Sequence, residues 1–251
     1  MDRDTAASWI RRYHPARECR VRLVCFPHAG GSASYYFPVS DALRPTVEVL
    51  SVQYPGRQDR RMERCIGNIP ELVTQIFDAL ETWLDGPPVA LFGHSMGALV
   101  AYEVGRLIEA KAGIQPVRLF ASGRRAPSCI RTEGVHLLDD NGIVRELQRL
   151  SGTDSALMAD QEMLRSLLPA IRGDYRAIET YVHRGGWHLS CPVTVLVGDA
   201  DPMTTLPEAN AWQEHTTGAC DVRVFPGGHF FLTDQPTRIV NLISDTLLLD
   251  V

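Results

Sequence analysis

The chain has 251 residues, 45% hydrophobic and 22% charged, with a net charge of −5. That balance belongs to a folded globular domain and excludes a disordered tail, a collagen-like fibre and a coiled coil. The acidic surplus leaves no overall basic footprint for nucleic acid, the apolar runs are too short to span a bilayer, and Asp2, Arg3, Asp4, Arg11 and Arg12 crowd out a secretory signal, so a cytoplasmic protein is expected.

In chain order the first predicted strand is Val21–Phe26, followed by the loop Phe26-Pro27-His28-Ala29-Gly30-Gly31-Ser32-Ala33. A second strand covers Val47–Gln53. The amphipathic stretch Ile69–Leu84 follows, with Asn68 as cap, Pro70 in the first turn and Glu71 at the capping-box position. Then come a strand at Pro88–Phe92, a helical period from Met96 to about Ala110 and a strand at Val117–Ala121. About seventy residues without a convincing strand come next, with helical patterns at Asp140–Leu150, Asp160–Ile171 and Asp174–Val182. Strands at Pro192–Val197 and Asp221–Phe225 close the series. Short apolar strands alternating with helices argue for an α/β fold with a mostly parallel sheet covered on both faces. The helical stretch reads as an insertion lying as a lid over the C-terminal edge of the sheet.

Six cysteines, Cys19, Cys25, Cys65, Cys129, Cys191 and Cys220, are scattered without a C-x-x-C pair or histidines at zinc spacing. They read as reduced, structural thiols, and no metal site is expected. The loop after the first strand has neither G-x-G-x-x-G nor a G-K-[ST] ending, which argues against nucleotide binding.

The chemistry gathers at Gly93-His94-Ser95-Met96-Gly97. G-x-S-x-G is a weak signal alone, but here a buried-strand pattern precedes it and a helix follows. A serine at that junction needs a tight, strained turn that only small neighbours two residues either side permit. The turn lifts the Ser95 hydroxyl above the sheet and aims the Met96 N–H at a developing oxyanion. Serine needs a base and an orienting acid, in the chain order Ser, acid, His. Gly198-Asp199-Ala200-Asp201-Pro202 and Pro226-Gly227-Gly228-His229 both follow strands, where ligands gather in open α/β sheets. Ser95 is therefore the expected nucleophile, His229 the general base and then acid, and Asp201 the orienting carboxylate, with Asp199 as the alternative. Of the other histidines, His183, His188 and His215 lie outside a post-strand loop, and His94 flanks the serine but points the wrong way on the turn. His14, His28 and His136 read as ordinary surface or core residues. The second oxyanion donor is expected in the Gly30–Gly31 loop, at the N–H of Ala29.

With these residues in hand the chain resembles the type II thioesterases, stand-alone editing enzymes of polyketide and nonribosomal peptide synthases. The likeness rests on CFPHAGGSASYYF (Cys25–Phe37), SVQYPGRQDR (Ser51–Arg60), LFGHSMGALVAYE (Leu91–Glu103), ASGRRAP (Ala121–Pro127), GDADP and PGGHFFL. It implies one α/β-hydrolase domain over residues 1–251 with a lid insertion at about 126–188. The implied activity is hydrolysis of stalled acyl groups from the phosphopantetheine arm of acyl or peptidyl carrier proteins, by a monomer without cofactor or metal. Acidic carriers make Arg57, Arg60, Arg61, Arg64, Arg124 and Arg125 candidate docking contacts. A start at Met1 with no carrier domain before it points to a free-standing protein and away from a product-releasing terminal thioesterase. The rival functions are a general esterase or lipase and a catalytically idle scaffold.

Overall fold

The computed structural model describes residues 8–151 and 161–250. Seven strands form one sheet: β1 (Ile10–Arg11), β2 (Val21–Phe26), β3 (Val47–Val52), β4 (Val89–His94), β5 (Leu119–Ser122), β6 (Val193–Gly198) and β7 (Cys220–Phe225). Their order is β1-β3-β2-β4-β5-β6-β7. All neighbours run parallel except β1, which pairs antiparallel with β3 through Ile10–Val52 and Arg11–Ser51. Two residues carry no periodicity, so β1 has no signal in the sequence. β3, β4, β5 and β6 are buried at every position, as strands covered on both faces must be, whereas β7 at the edge is largely open.

The helices are α1 (Phe37–Ala42), α2 (Ile69–Leu80), α3 (Met96–Leu107), α4 (Asp140–Ser151), α5 (Gln161–Glu179), α6 (Leu206–Asn210), α7 (Phe231–Asp234) and α8 (Pro236–Asp250). Asn68 caps α2 as its side chain suggests: its oxygen accepts the Glu71 N–H and its amide donates to the Glu71 carboxylate, both at 2.8 Å. The helix ends at Leu80, and a 3₁₀ turn over Glu81–Trp83 completes the predicted stretch. Successive residues of β2 alternate between two cores, Val24 and Phe26 on one face and Leu23 and Cys25 on the other.

The insertion between β5 and β6 departs from the expectation in one respect. The two patterns at Asp160–Ile171 and Asp174–Val182 are one helix, α5, which runs through residues 172–173 and ends at Glu179; Asp160 lies outside the described residues. The buried stripe Leu164, Leu168, Ile171, Tyr175 and Ile178 crosses the supposed boundary without losing its helical period. Gly173 sits within it because α5 passes close to Cys65, whose Cβ would be 3.1 Å from a Cβ at that glycine. Val135, Ile143, Leu168, Ile171 and Tyr175 form a small third core, and Ala29 of the loop after β2 packs against it.

The direction of winding reverses between β2 and β4, so their C-terminal ends flank the crevice where open α/β sheets bind ligands. That crevice depends on Gly97. A Cβ there would lie 2.0 Å from the Phe26 carbonyl oxygen, backbone against backbone, with nothing able to move aside. Gly97→Ala should therefore cost on the order of 4 kcal/mol or more. Gly113→Ala, at a φ of +67° with open space around it, should cost about 1–2 kcal/mol. Urea denaturation of both variants checks this; equal losses would mean that α3 does not rest on β2 so closely.

Candidate active site

Ser95 joins β4 to α3 at φ 54° and ψ −118°, a conformation that L-residues avoid. Its N–H donates to the Ser122 carbonyl at 2.8 Å, so the adjoining strand holds the strained turn. A Cβ at Gly93 would fall 2.1 Å from the Gly97 carbonyl oxygen. The two glycines thus let the strand end and the helix start close on each other. Ser95 is half-buried at the mouth of the crevice, in front of the positive end of α3.

His229 follows β7 and is 2% exposed. Its Nδ1 lies 3.0 Å from both carboxylate oxygens of Asp201, whose side chain is wholly buried. Asp201 Oδ1 also accepts the Met203 N–H at 2.8 Å, which holds the carboxylate in place. Of the two acids in the loop after β6, Asp201 reaches the imidazole. Asp199 instead accepts the Gly227 N–H at 3.0 Å and braces the loop that carries the histidine. A carboxylate at Nδ1 leaves Nε2 as the proton-accepting nitrogen of the neutral ring.

Two further imidazoles surround His229, and sequence reasoning did not place them there. The His94 ring is 4.9 Å from the His229 ring, and its Nδ1 is 3.1 Å from Ser122 Oγ. The His28 ring lies 6.0 Å from that of His94 and 5.0 Å from Phe230. Burial, reinforced by His229 and Arg57, lowers the His28 pKa to about 3. Burial also holds His94 well below the usual range, with His229 and His28 adding to the effect. Both stay uncharged at neutral pH and add no competing cation beside His229. The position of His94 directly before Ser95 was the local signal in the sequence.

The loop after β2 faces the same crevice. Ala29 lies in this loop, and Met96 opens α3 directly after Ser95. Gly31 N–H closes a turn onto the His28 carbonyl at 2.9 Å. Gly30 has φ +76° and donates its N–H to Asp174 of α5 at 2.8 Å. Tyr54 Oη donates to the Pro27 carbonyl at 3.2 Å, and Tyr36 Oη to that of Phe26 at 2.8 Å.

The arginines expected as docking contacts divide. Arg57 is buried and paired with Asp174. Arg60 is buried, with its guanidinium 4.2 Å from the Trp9 ring and its Nη2 2.6 Å from Glu63. Arg125 is buried and pairs with Glu133 at 2.9 Å. These three hold the fold together and are not available to a partner. Arg61 and Arg64 are exposed, Arg64 beside Glu71, and Arg124 is half-buried. All six cysteines are free; burial pushes the Cys191 thiol up to about 12 and Cys25 higher still. Among the described residues no helix is long and apolar enough to cross a membrane.

Comparison with known proteins bears on the family. The thioesterase domain family matches residues 21–247. The chain is 52% identical over 240 residues to thioesterase PikA5 of Streptomyces venezuelae, covering 96% of this chain and 85% of that one. It is 34% identical to the gramicidin S biosynthesis protein GrsT of Aneurinibacillus migulanus, covering 96% and 94%. Among solved structures, the type II thioesterase BorB from the borrelidin biosynthetic cluster superposes with a TM-score of 0.90 at 51% identity, covering 95% of this chain and 97% of that one. The RedJ thioesterase from the prodiginine pathway of Streptomyces coelicolor gives 0.86 at 36%, covering 95% and 89%.

The neutral imidazoles carry a pH signature. His28, His94 and also His215 are depressed, the last to about 4 by burial and its neighbours His183, His188 and Arg106. An unfolded chain protonates histidine near 6.5, while the folded chain resists until far lower pH. Between those values the unfolded state binds more protons, so stability is full above about pH 6.5 and falls as pH drops toward about 4. Melting temperature measured from pH 7.5 to 4.5 should decline from about 6.5 downward, and His215→Gln should shrink that decline. A flat profile contradicts the buried neutral state.

Proposed function

The chain belongs to the thioesterase family of the α/β-hydrolase fold, a group of serine hydrolases acting on thioesters, and on that basis we propose that it clears stalled or aberrant acyl groups from the phosphopantetheine arm of acyl or peptidyl carrier proteins. What supports this reading is the buried Asp201–His229 pair, together with a serine held at a positive φ in the turn between β4 and α3. The names of the relatives, a type II thioesterase and a gramicidin S biosynthesis protein among them, support the carrier-bound substrate and the editing role.

In the proposed sequence Ser95 Oγ attacks the thioester carbonyl while His229 Nε2 takes its proton. The carbonyl oxygen becomes an oxyanion opposite the N–H groups of Ala29 and Met96, with the end of α3 adding its dipole. The intermediate collapses, the carbon–sulfur bond breaks, and the imidazolium returns its proton to the departing pantetheine sulfur. Water then enters, loses a proton to His229 and attacks the acyl-serine, releasing a carboxylic acid and the free hydroxyl. Asp201 keeps the proton of the neutral ring on Nδ1 and offsets the imidazolium charge. Carrier docking would draw on the exposed Arg61 and Arg64 and on the rim of the insertion.

Acyl-loaded carrier protein and a fluorophosphonate probe test the reading together. The unsubstituted protein should label and release acyl groups, and Ser95→Ala should do neither. Asp201→Asn should lower kcat by roughly 10⁴-fold, since the wrong tautomer would face Ser95. A protein that resists the probe is a scaffold, and one that labels and cleaves small esters but leaves carriers loaded is a general esterase.

A further inference from the structure

We propose that Asp174 is a positioning residue that holds the oxyanion loop from the lid, so that the donor at Ala29 is in place only while α5 is docked. The inference rests on the reading of Ser95 as nucleophile and Ala29 as oxyanion donor, and it adds a residue far from both in sequence. Asp174 lies on α5, yet its Oδ2 accepts the Gly30 N–H at 2.8 Å. The same oxygen pairs with Arg57 Nη2. Arg57 and Asp174 side chains are 2% and 4% exposed, and burial raises the Asp174 pKa against the opposing pull of Arg57. Arg57 Nη1 donates to the Pro55 carbonyl at 3.2 Å, and its guanidinium lies 5.2 Å from the Tyr54 ring. Tyr54 in turn holds the Pro27 carbonyl. The loop is therefore gripped at both ends by one connected network.

The grip has a direction. In a trans peptide the C=O and N–H point opposite ways. With the His28 carbonyl fixed by Gly31 N–H, the Ala29 N–H of that same peptide is aimed away from it. The next peptide is fixed through Gly30 N–H by Asp174. Ile171, one turn before Asp174 on α5, packs against Gly30: its Cγ1 is 2.7 Å from where a Cβ on Gly30 would be. A buried ion pair is a poor source of stability, since apolar residues of similar volume often serve as well. What an apolar pair does not provide is an acceptor for Gly30. Displacing α5 removes that acceptor together with the Ile171 wall, and the loop loses the constraint that orients Ala29.

The test separates position from stability and from the underlying reading. Asp174→Ala should lower kcat on acyl-carrier by about 10–100-fold with KM little changed, somewhat less than loss of a whole oxyanion donor. Affinity for an acyl trifluoromethyl ketone should fall in proportion. That reagent forms a Ser95 Oγ–carbon bond as the hydroxyl proton passes to His229 and its carbonyl oxygen becomes an oxyanion, whereas binding of a thioether substrate analogue should be unaffected. Hydrogen exchange at the Gly30 amide, which needs no catalysis, should accelerate. Because Asp174→Ala leaves Arg57 buried and unpaired, the double variant Arg57→Met/Asp174→Leu provides the control. It should regain the melting temperature but neither kcat nor ketone affinity. Recovery of turnover along with melting temperature, or unchanged ketone affinity in Asp174→Ala, overturns the inference. Unchanged exchange at Gly30 does so whether or not Ser95 is the nucleophile, and failure of the parent protein to take a fluorophosphonate would count against the active-site reading itself.

Discussion

The seating of the first turn of α3 on the last residue of β2 is the contact on which the rest depends. It is a backbone-to-backbone approach, permitted because Gly93 and Gly97 carry no side chain. It forces Ser95 to a positive φ that the Ser122 carbonyl then secures. It also brings the loop after β2 alongside the start of the helix. Ser95, the positive end of α3 and the loop after β2 therefore meet in one place for a single steric reason.

Charge is managed around that contact by burial. His229 has a carboxylate at one nitrogen, while His28 and His94, packed about it, are kept neutral by the desolvation that a charged ring would suffer. Of the three rings, that of His229 is the one with a carboxylate against it. Asp199 illustrates the same economy of roles. Two carboxylates lie two residues apart on one loop, one orienting the imidazole and the other bracing Gly227 at 3.0 Å.

The insertion is more than a cover. Its small apolar core includes contact with Ala29, and its longest helix supplies the acceptor for Gly30. Arg57, from a stretch that reads in the sequence as part of a basic docking surface, is instead interior and tied to that helix. A run of arginines in a sequence says nothing about which guanidiniums face water, because the long side chain can turn inward wherever a carboxylate from a distant segment meets it.

The alternation of short apolar strands with helical periods, the cap at Asn68 and the G-x-S-x-G turn were legible because each depends on residues within a few positions of one another. Periodicity, capping and steric allowance are local physics. The places of Ser95, Asp201 and His229 just after strands were legible too, since each of those strands is a local apolar run. The two-residue β1 was too short to carry a pattern, and the continuity of α5 through Gly173 depended on a close pass by Cys65. Asp201 was already the expected partner of His229, but the bracing role of Asp199, the neutral histidines around His229 and the Asp174–Gly30–Arg57 network belonged to the tertiary structure. Each joins groups from separate parts of the chain, the Gly30–Asp174 bond across 144 positions. Only folding decides which donors and carboxylates share a desolvated space, and it is there that an unpaired group is most costly and a paired one most directional.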